Sequence, residues 1–595
     1  MAKSDSRFEY KADLSRTDHD LSQPFTFTSA PGMLLPIWCD IASPGDSFYM
    51  SHDMPLLRSQ VLAAPAMVDV KVHYETFFVP LQMIYEPFEN SKFQLRNLRS
   101  SYYDMPSQRD NLLPCLNLAS VVNEVMNSYF HVWQRADCFR MADLLELQPA
   151  NFLTSQGSSV GLKTYTPSVF PWKLCAYQTI WQYYYRLDDK SQFVSEFANL
   201  DKQYANATIS VSSGSSLTSF FEIHQRPWDF DYYTSMYRSP IVSDANMQKV
   251  LQNGNQFSMA NIYPANVLTN EQFKRSASGS ANSNETMQTF GTNYLSNGAT
   301  ALQVNTANIR QLFANEKLSM ITGRTKKNYD SQVLAHYGVA VPHDVKHDIT
   351  MIHHDEFDLK VLEVTSLAST SDAPLGELAG KSYATGNGKS FKFTAPCDGV
   401  IMTIFSVEPK RKYQAAFNRI NAISDVFDLP TPEFDRLGNV PMFSYEASSP
   451  KSSSQQNTDI IGWKERYYAF KRRPARASYA FADNIQQTNS LASYVLSSLP
   501  FGVPLRNVGS WTYGYPMPAQ EDRFYINRGA MDNLCMVDFV NEWLEPDEDQ
   551  EDVPENWSAN PHLVYARDPF IVDSFIKCKK VSWMSKDGEP VYNMF

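Results

Sequence analysis

The 595 residues, 43 % of them hydrophobic and 19 % charged, are enough to bury a large core. A formal net charge of −12 excludes a protein that grips nucleic acid over its whole surface. The 32 Tyr, 37 Phe and 34 Pro point instead to broad aromatic contact surfaces joined by irregular connections, a composition suited to packing against neighbours.

The first clear element is "MVDVKVHYETFF" (67–78), in which Val68, Val70, Val72 and Tyr74 alternate with Asp69, Lys71, His73 and Glu75. That two-residue period predicts a half-buried antiparallel strand. Helical spacing follows in "LASVVNEVMNSYFHVWQ" (118–134) and in "PWKLCAYQTIWQYYYRLDD" (171–189). In the second of these Tyr177, Ile180, Trp181 and Tyr184 repeat behind a proline suited to a first turn, the pattern of an amphipathic helix. Residues 275–300, "RSASGSANSNETMQTFGTNYLSNGAT", have no period and are expected on the surface; "NIRQLFANEKLSM" (308–320) again reads as helix. Late strands are predicted in "KSFKFTAP" (389–396), "GVIMTIFSVEP" (399–409) and "DPFIVDSFIKCKKVSWM" (568–584), all β-branched or aromatic runs bounded by Pro, Gly or Asp. Before the last of them, 545–555 holds seven acids and no base, the pattern of a solvated acidic loop. Strands near both ends must therefore pair across very long insertions, as in a jelly roll whose loops have grown into subdomains.

Chemistry-bearing patterns are few. The histidines cluster once, in "VPHDVKHDITMIHHDEFD" (341–358), with His343 and His347 at i, i+4 and His353, His354, Asp355 and Glu356 behind them. No zinc-ligand spacing is matched, so polar surface or subunit contact is the expectation and no metal or other cofactor is assigned. Seven cysteines (Cys39, Cys115, Cys138, Cys175, Cys397, Cys535, Cys578) are odd in number and never in C-x-x-C spacing, and read as reduced packing residues. Walker A, G-x-S-x-G and G-x-G-x-x-G motifs are absent, so no catalytic residue is assigned. Basic residues interleave with rings in "WKERYYAFKRRPARASYAF" (463–481), where Lys471, Arg472, Arg473 and Arg476 are the nucleic-acid-binding candidates; salt bridges to a neighbouring subunit are the alternative. "KCKK" (577–580) is a lesser basic run. With no signal-type start and no long apolar run, the chain is expected to stay in the cytosol of its maker.

Several stretches taken together resemble the major capsid proteins of microviruses, small single-stranded DNA bacteriophages, especially the gokushovirus-like branch. They are "LLPIWCDIASPGDSF" (34–48), "YETFFVPLQMIYEPFE" (74–89), "FPWKLCAYQTIWQYYYRLDD" (170–189), "RPWDFDYYTSMYRSP" (226–240), 308–342, "IIGWKERYYAFKRRP" (460–474) and 568–593. Within them Asp231, Tyr232, Tyr233, Thr234 and Ser235 align with a family motif, whereas Trp463 stands where the family usually has tyrosine.

The resemblance implies a mainly β fold, an eight-stranded antiparallel jelly-roll barrel with long, partly helical inter-strand insertions. Its core would draw on strands at about 65–80, 389–409 and 568–584 within one architecture spanning 1–595, with 241–305 as a surface protrusion. It further implies pentamers, a T=1 icosahedral shell, packaged circular single-stranded DNA and no enzymatic activity. Implied partners are a small basic DNA-binding protein, pilot or scaffolding proteins and a host-cell surface receptor; the location is the virion, assembled in the bacterial cytoplasm. Because fold alone does not decide function, a jelly-roll carbohydrate-binding or carbohydrate-active protein is the alternative.

Overall fold

The computed structural model describes residues 16–59, 67–85, 140–147, 171–187, 221–237, 329–339, 349–365, 378–413, 418–423, 426–435, 438–447, 460–478, 524–526 and 568–584, with shorter pieces between them. The readings at 118–134, 241–305 and 545–555, most of 308–320, and His343 and His347 lie outside the described residues.

Ten strands make one curled, wholly antiparallel system: β1 (Thr17–Asp20), β2 (Gln23–Ser29), β3 (Leu35–Ala42), β4 (Ser47–Ser59), β5 (Val70–Pro80), β6 (Thr350–Thr365), β7 (Leu378–Asn387), β8 (Phe391–Thr394), β9 (Gly399–Pro409) and, after the pair β10 (Asn439–Phe443) and β11 (Ile460–Glu465), β12 (Phe570–Ser582). They fill eight strand positions, β1 and β2 sharing the first and β7 and β8 the sixth. The last strand, β12, lies between β1/β2 and β4, which continues to β7 and β8. Its partner layer runs β3, β9, β5, β6. One layer thus reads first–eighth–third–sixth and the other second–seventh–fourth–fifth, the winding of a jelly roll. The layers join at β6, which pairs with β5 over 350–359 and with β7 over 360–365.

Inward-pointing residues of both layers form the barrel core, including Phe27, Trp38, Phe48, Leu57, Val70, Val72, Tyr74, Phe405, Val572 and Ile576. Phe405 is central: Phe27 meets it edge-on at 4.9 Å and Tyr74 at 5.2 Å. Edge-to-face rings at such separations add stabilisation beyond their buried area.

Residues 81–349 and 410–569 are the long insertions, and the first covers the outer face of β5 and β9. A second cluster joins Phe77, Val79, Val400, Met402 and Ile404 of those strands to Leu81 and Ile84 of α1 (Leu81–Ile84) and to α2 (Trp172–Ile180). Two expectations are corrected here. β5 is buried on both faces rather than half-buried, with His73 at 3 % and Glu75 at 6 % exposure, because insertion residues lie over its polar side. α2 is not amphipathic: Leu174 to Ile180 are buried without interruption, since the helix is enclosed on all sides, and it passes into a π-helical turn over Trp181–Tyr185. The late strands fall at 391–394, 399–409 and 570–582, within the segments anticipated.

Candidate functional site

A third cluster, built largely by the second insertion, gathers residues of the described segments 226–237 and 460–474. Asp231 opens a turn by accepting from the backbone N–H of Tyr233 and of Thr234, both at 2.8 Å, and from Thr234 Oγ1 at 3.0 Å. Its other oxygen accepts from the Tyr413 hydroxyl. This is why Asp, Tyr, Tyr, Thr and Ser occur together: the carboxylate satisfies the turn while Tyr232 and Tyr233 enter the aromatic core with Met442, Tyr468, Phe524 and Tyr525. The main-chain groups of Trp463 and Tyr237 exchange two hydrogen bonds at 2.8 Å, and Lys464, wholly buried, donates to the Tyr232 carbonyl.

The four basic candidates leave this cluster on its surface. Lys471, Arg472, Arg473 and Arg476 are all exposed. Lys471 Nζ lies 2.6 Å from Asp435 Oδ1, with both side chains exposed, whereas the three arginines make no ion pair with another described residue. The Arg472 N–H donates to the Tyr468 carbonyl at 3.0 Å, and the Tyr413 N–H to the Ala475 carbonyl at 2.8 Å, so the backbone that carries them is fixed. The residues just before them in the chain help line a cleft of about 310 Å³, formed by Arg419, Phe443, Tyr445, Arg466, Tyr467 and Phe470, which none of the four basic candidates lines. Tyr467 holds a left-handed backbone (φ 61°), an uncommon state for a non-glycine residue. Guanidinium groups and ring faces around one opening suit a phosphate and an unstacked base. The lesser run is occupied differently: Lys577 pairs with Asp53, Lys579 with Asp18 at 2.8 Å, and buried Lys580 with Asp40 at 3.0 Å.

The described part of the histidine run does not converge, because strand alternation in β6 splits it. His353 and Asp355 turn toward His52: His52 Nδ1 is 2.9 Å from Asp355 Oδ2 and its Nε2 is 2.8 Å from Thr76 Oγ1. Burial drives the His52 imidazole below its ordinary pKa, against the pull of Asp355, so it is a neutral linker inside the barrel wall. His354 and Glu356 turn outward, where His354 meets His73 and Glu75 of β5. Over them lie Arg226, 2.8 Å from Glu75 Oε2 and 3.3 Å from Glu408 Oε2, and the hydroxyl of Tyr185, which donates to Glu75. Burial raises the Glu75 carboxyl, but Arg226, Tyr185 and His73 outweigh it and leave the group below its usual range. Sequence reasoning missed His73, Glu75, Arg226 and Glu408 as a set. The available signal was the i, i+2 placement of His73 and Glu75 on one strand face.

Four described cysteines, Cys39, Cys175, Cys397 and Cys578, are free thiols. Burial pushes Cys175 and Cys578 up to about 12, which makes them unreactive packing groups.

A search of curated proteins returns no match. The family model of the phage capsid protein (F protein) matches residues 9–108 and 158–504, most of the chain. With the jelly-roll winding and the meeting of the 226–237 and 460–474 segments in one cluster, this match closes the question of kinship: the chain belongs to the phage capsid protein (F protein) family, as a microvirus-type major capsid protein.

Proposed function

We propose that this capsid protein assembles through pentamers into a T=1 icosahedral shell enclosing circular single-stranded DNA, and that it carries out no catalysis. The observation that carries the reading is the family match over a jelly roll whose sheet is overlaid by its own long insertion. A barrel thickened in this way offers rigid, broad lateral surfaces, and repeated heterologous contacts between such surfaces close into rings and shells.

A coat with a net charge of −12 per chain cannot neutralise a polyanion by its overall charge, so the basic groups that meet the genome must be segregated. Arg472, Arg473 and Arg476, exposed and without an ion pair to another described residue, are the contacts this reading selects, with Lys471 partly engaged by Asp435. A separate small basic protein would supply most of the remaining counter-charge. Pilot or scaffolding proteins and a host surface receptor complete the partners, and 241–305 is the proposed outer protrusion. Assembly would take place in the host cytoplasm.

The test is particle mass. Light scattering and negative-stain microscopy of the expressed protein should find pentamers or closed shells. A persistent single species of 67.7 kDa would overturn the reading.

A further inference from the structure

We propose that His73, Glu75 and His354 form a binding site for one divalent transition-metal ion of zinc type, on the outer face of the β5–β6 pair. The sheet register builds the site. His73 and Glu75 are two apart on β5 and share a face, and Glu75 stands directly opposite His354 of β6. His73 Nδ1 and His354 Nε2 are 3.0 Å apart, His354 Nε2 is 3.9 Å from Glu75 Oε1, and one ligand atom from each residue lies within 4.8 Å of the others. Ligand atoms around tetrahedral zinc, each bound at about 2.0–2.1 Å, stand roughly 3.4 Å from one another, so small side-chain adjustments would complete the set.

The surrounding groups orient these atoms. His73 Nε2 lies 3.0 Å from Glu408 Oε2, both side chains almost fully buried. A carboxylate there accepts a hydrogen bond from Nε2–H, holds the proton on that nitrogen and leaves the Nδ1 lone pair facing His354, the arrangement that outer carboxylates impose on metal-bound histidines. Glu75 Oε2 is held by Arg226 Nη1 at 2.8 Å and by the Tyr185 hydroxyl; Oε1, with only a longer contact to Arg226 Nη2 at 3.3 Å, is the oxygen turned to His354. Two buried carboxylates, Glu75 and Glu408, face the Arg226 guanidinium, so this side of the site is lined by anionic oxygens that suit a cation. The His354 side chain is 34 % exposed and gives the ion a path from solvent and a position for a water ligand. Softness of ligands favours zinc, cobalt or nickel over calcium and magnesium, which want oxygen alone.

The experiment uses the full-length protein stripped with chelator, dialysed against Zn²⁺ and assayed for metal content, with Co²⁺ as a spectroscopic probe. About one zinc per chain, visible bands of four-coordinate Co²⁺, and a thermal midpoint that rises with Zn²⁺ are expected. His354→Gln, at a half-exposed position that should leave folding intact, should abolish the stoichiometric zinc and the midpoint shift. Glu408→Gln should weaken binding about 10–100-fold. His336→Gln, on a partly exposed histidine elsewhere, should change nothing. No retained zinc in the parent chain, or equal retention in His354→Gln, would leave His73 and His354 as a plain N–H···N hydrogen-bonded pair and overturn the proposal. Neither result depends on assembly, so it is separable from the capsid reading.

Discussion

Lys464 offers the sharpest test of the electrostatics. It is fully buried in β11, with its ammonium 4.9 Å from the Tyr232 ring centre and 5.5 Å from that of Tyr468. Burial lowers its pKa from 10.5 to about 8; Glu465, Asp231 and Glu446 pull it back up while Arg472 pushes it further down. The folded chain therefore gives up this proton more easily than the unfolded one. Stability tied to Lys464 is greatest above its unfolded pKa and is lost as pH falls toward the folded value. At about 1.4 kcal/mol per pKa unit, moving from pH 7 to pH 10 should return about 2–3 kcal/mol through this one group. Lys464→Met removes the titration, and every other group cancels when the variant is compared with the parent at each pH. Urea unfolding followed by circular dichroism, in steps from pH 7 to pH 10, measures the difference. Relative to the parent, the variant should lose about 2–3 kcal/mol of its advantage, or gain that much in deficit, as the pH rises. A gap that is the same at both ends would show that Lys464 is not charged and desolvated in the fold at neutral pH.

Arg140→Met should cost about 3–5 kcal/mol in thermal or urea unfolding, because it leaves the buried Asp568 carboxylate without the guanidinium now 2.7 Å away; adding Asp568→Asn should recover part of the loss, and no recovery would contradict the pairing. Replacing Arg472 and Arg473 with glutamine should leave pentamers intact and lower the DNA content per particle. Failed pentamers with normal DNA content in surviving shells would place these arginines at a subunit seam instead. Protease treatment of intact particles should cut within 275–300, since a Ser/Asn/Gly-rich tract buries too little apolar area to offset the entropy of ordering. Complete protection there, with cleavage elsewhere, would contradict a surface position.

What the chain reveals on reading follows how local the responsible physics is. The alternation from Val68 to Glu75 and the β-branched run 399–409 mark strands because their period is set within a few residues. β4 (SFYMSHDMPLLRS) and β6 have no clean alternation, since His52, Asp53 and Asp355 sit in buried hydrogen-bonded positions where apolar residues would be expected. β5's outer face looked solvated for the same reason: His73 and Glu75 are polar, but Tyr185 and Arg226, more than a hundred residues away, cover them. The basic candidates were readable as a composition; that Arg472, Arg473 and Arg476 are exposed while Lys577 and Lys579 are paired required the fold.

The position of β12 has a consequence for synthesis. It hydrogen-bonds to β1 and β2 on one side and to β4 on the other, so three early strands share a neighbour that is made much later. At about 5–20 residues per second, roughly 25–100 s separate the emergence of β4 from that of β12. Throughout that interval the β2 and β4 edges that β12 will cover present unpaired N–H and C=O groups, a template for a wrong strand from the same chain or from a neighbour on the same message. Closure of this barrel thus waits for β12, and until that strand emerges the exposed edges of the nascent chain are the surfaces a chaperone would have to shield.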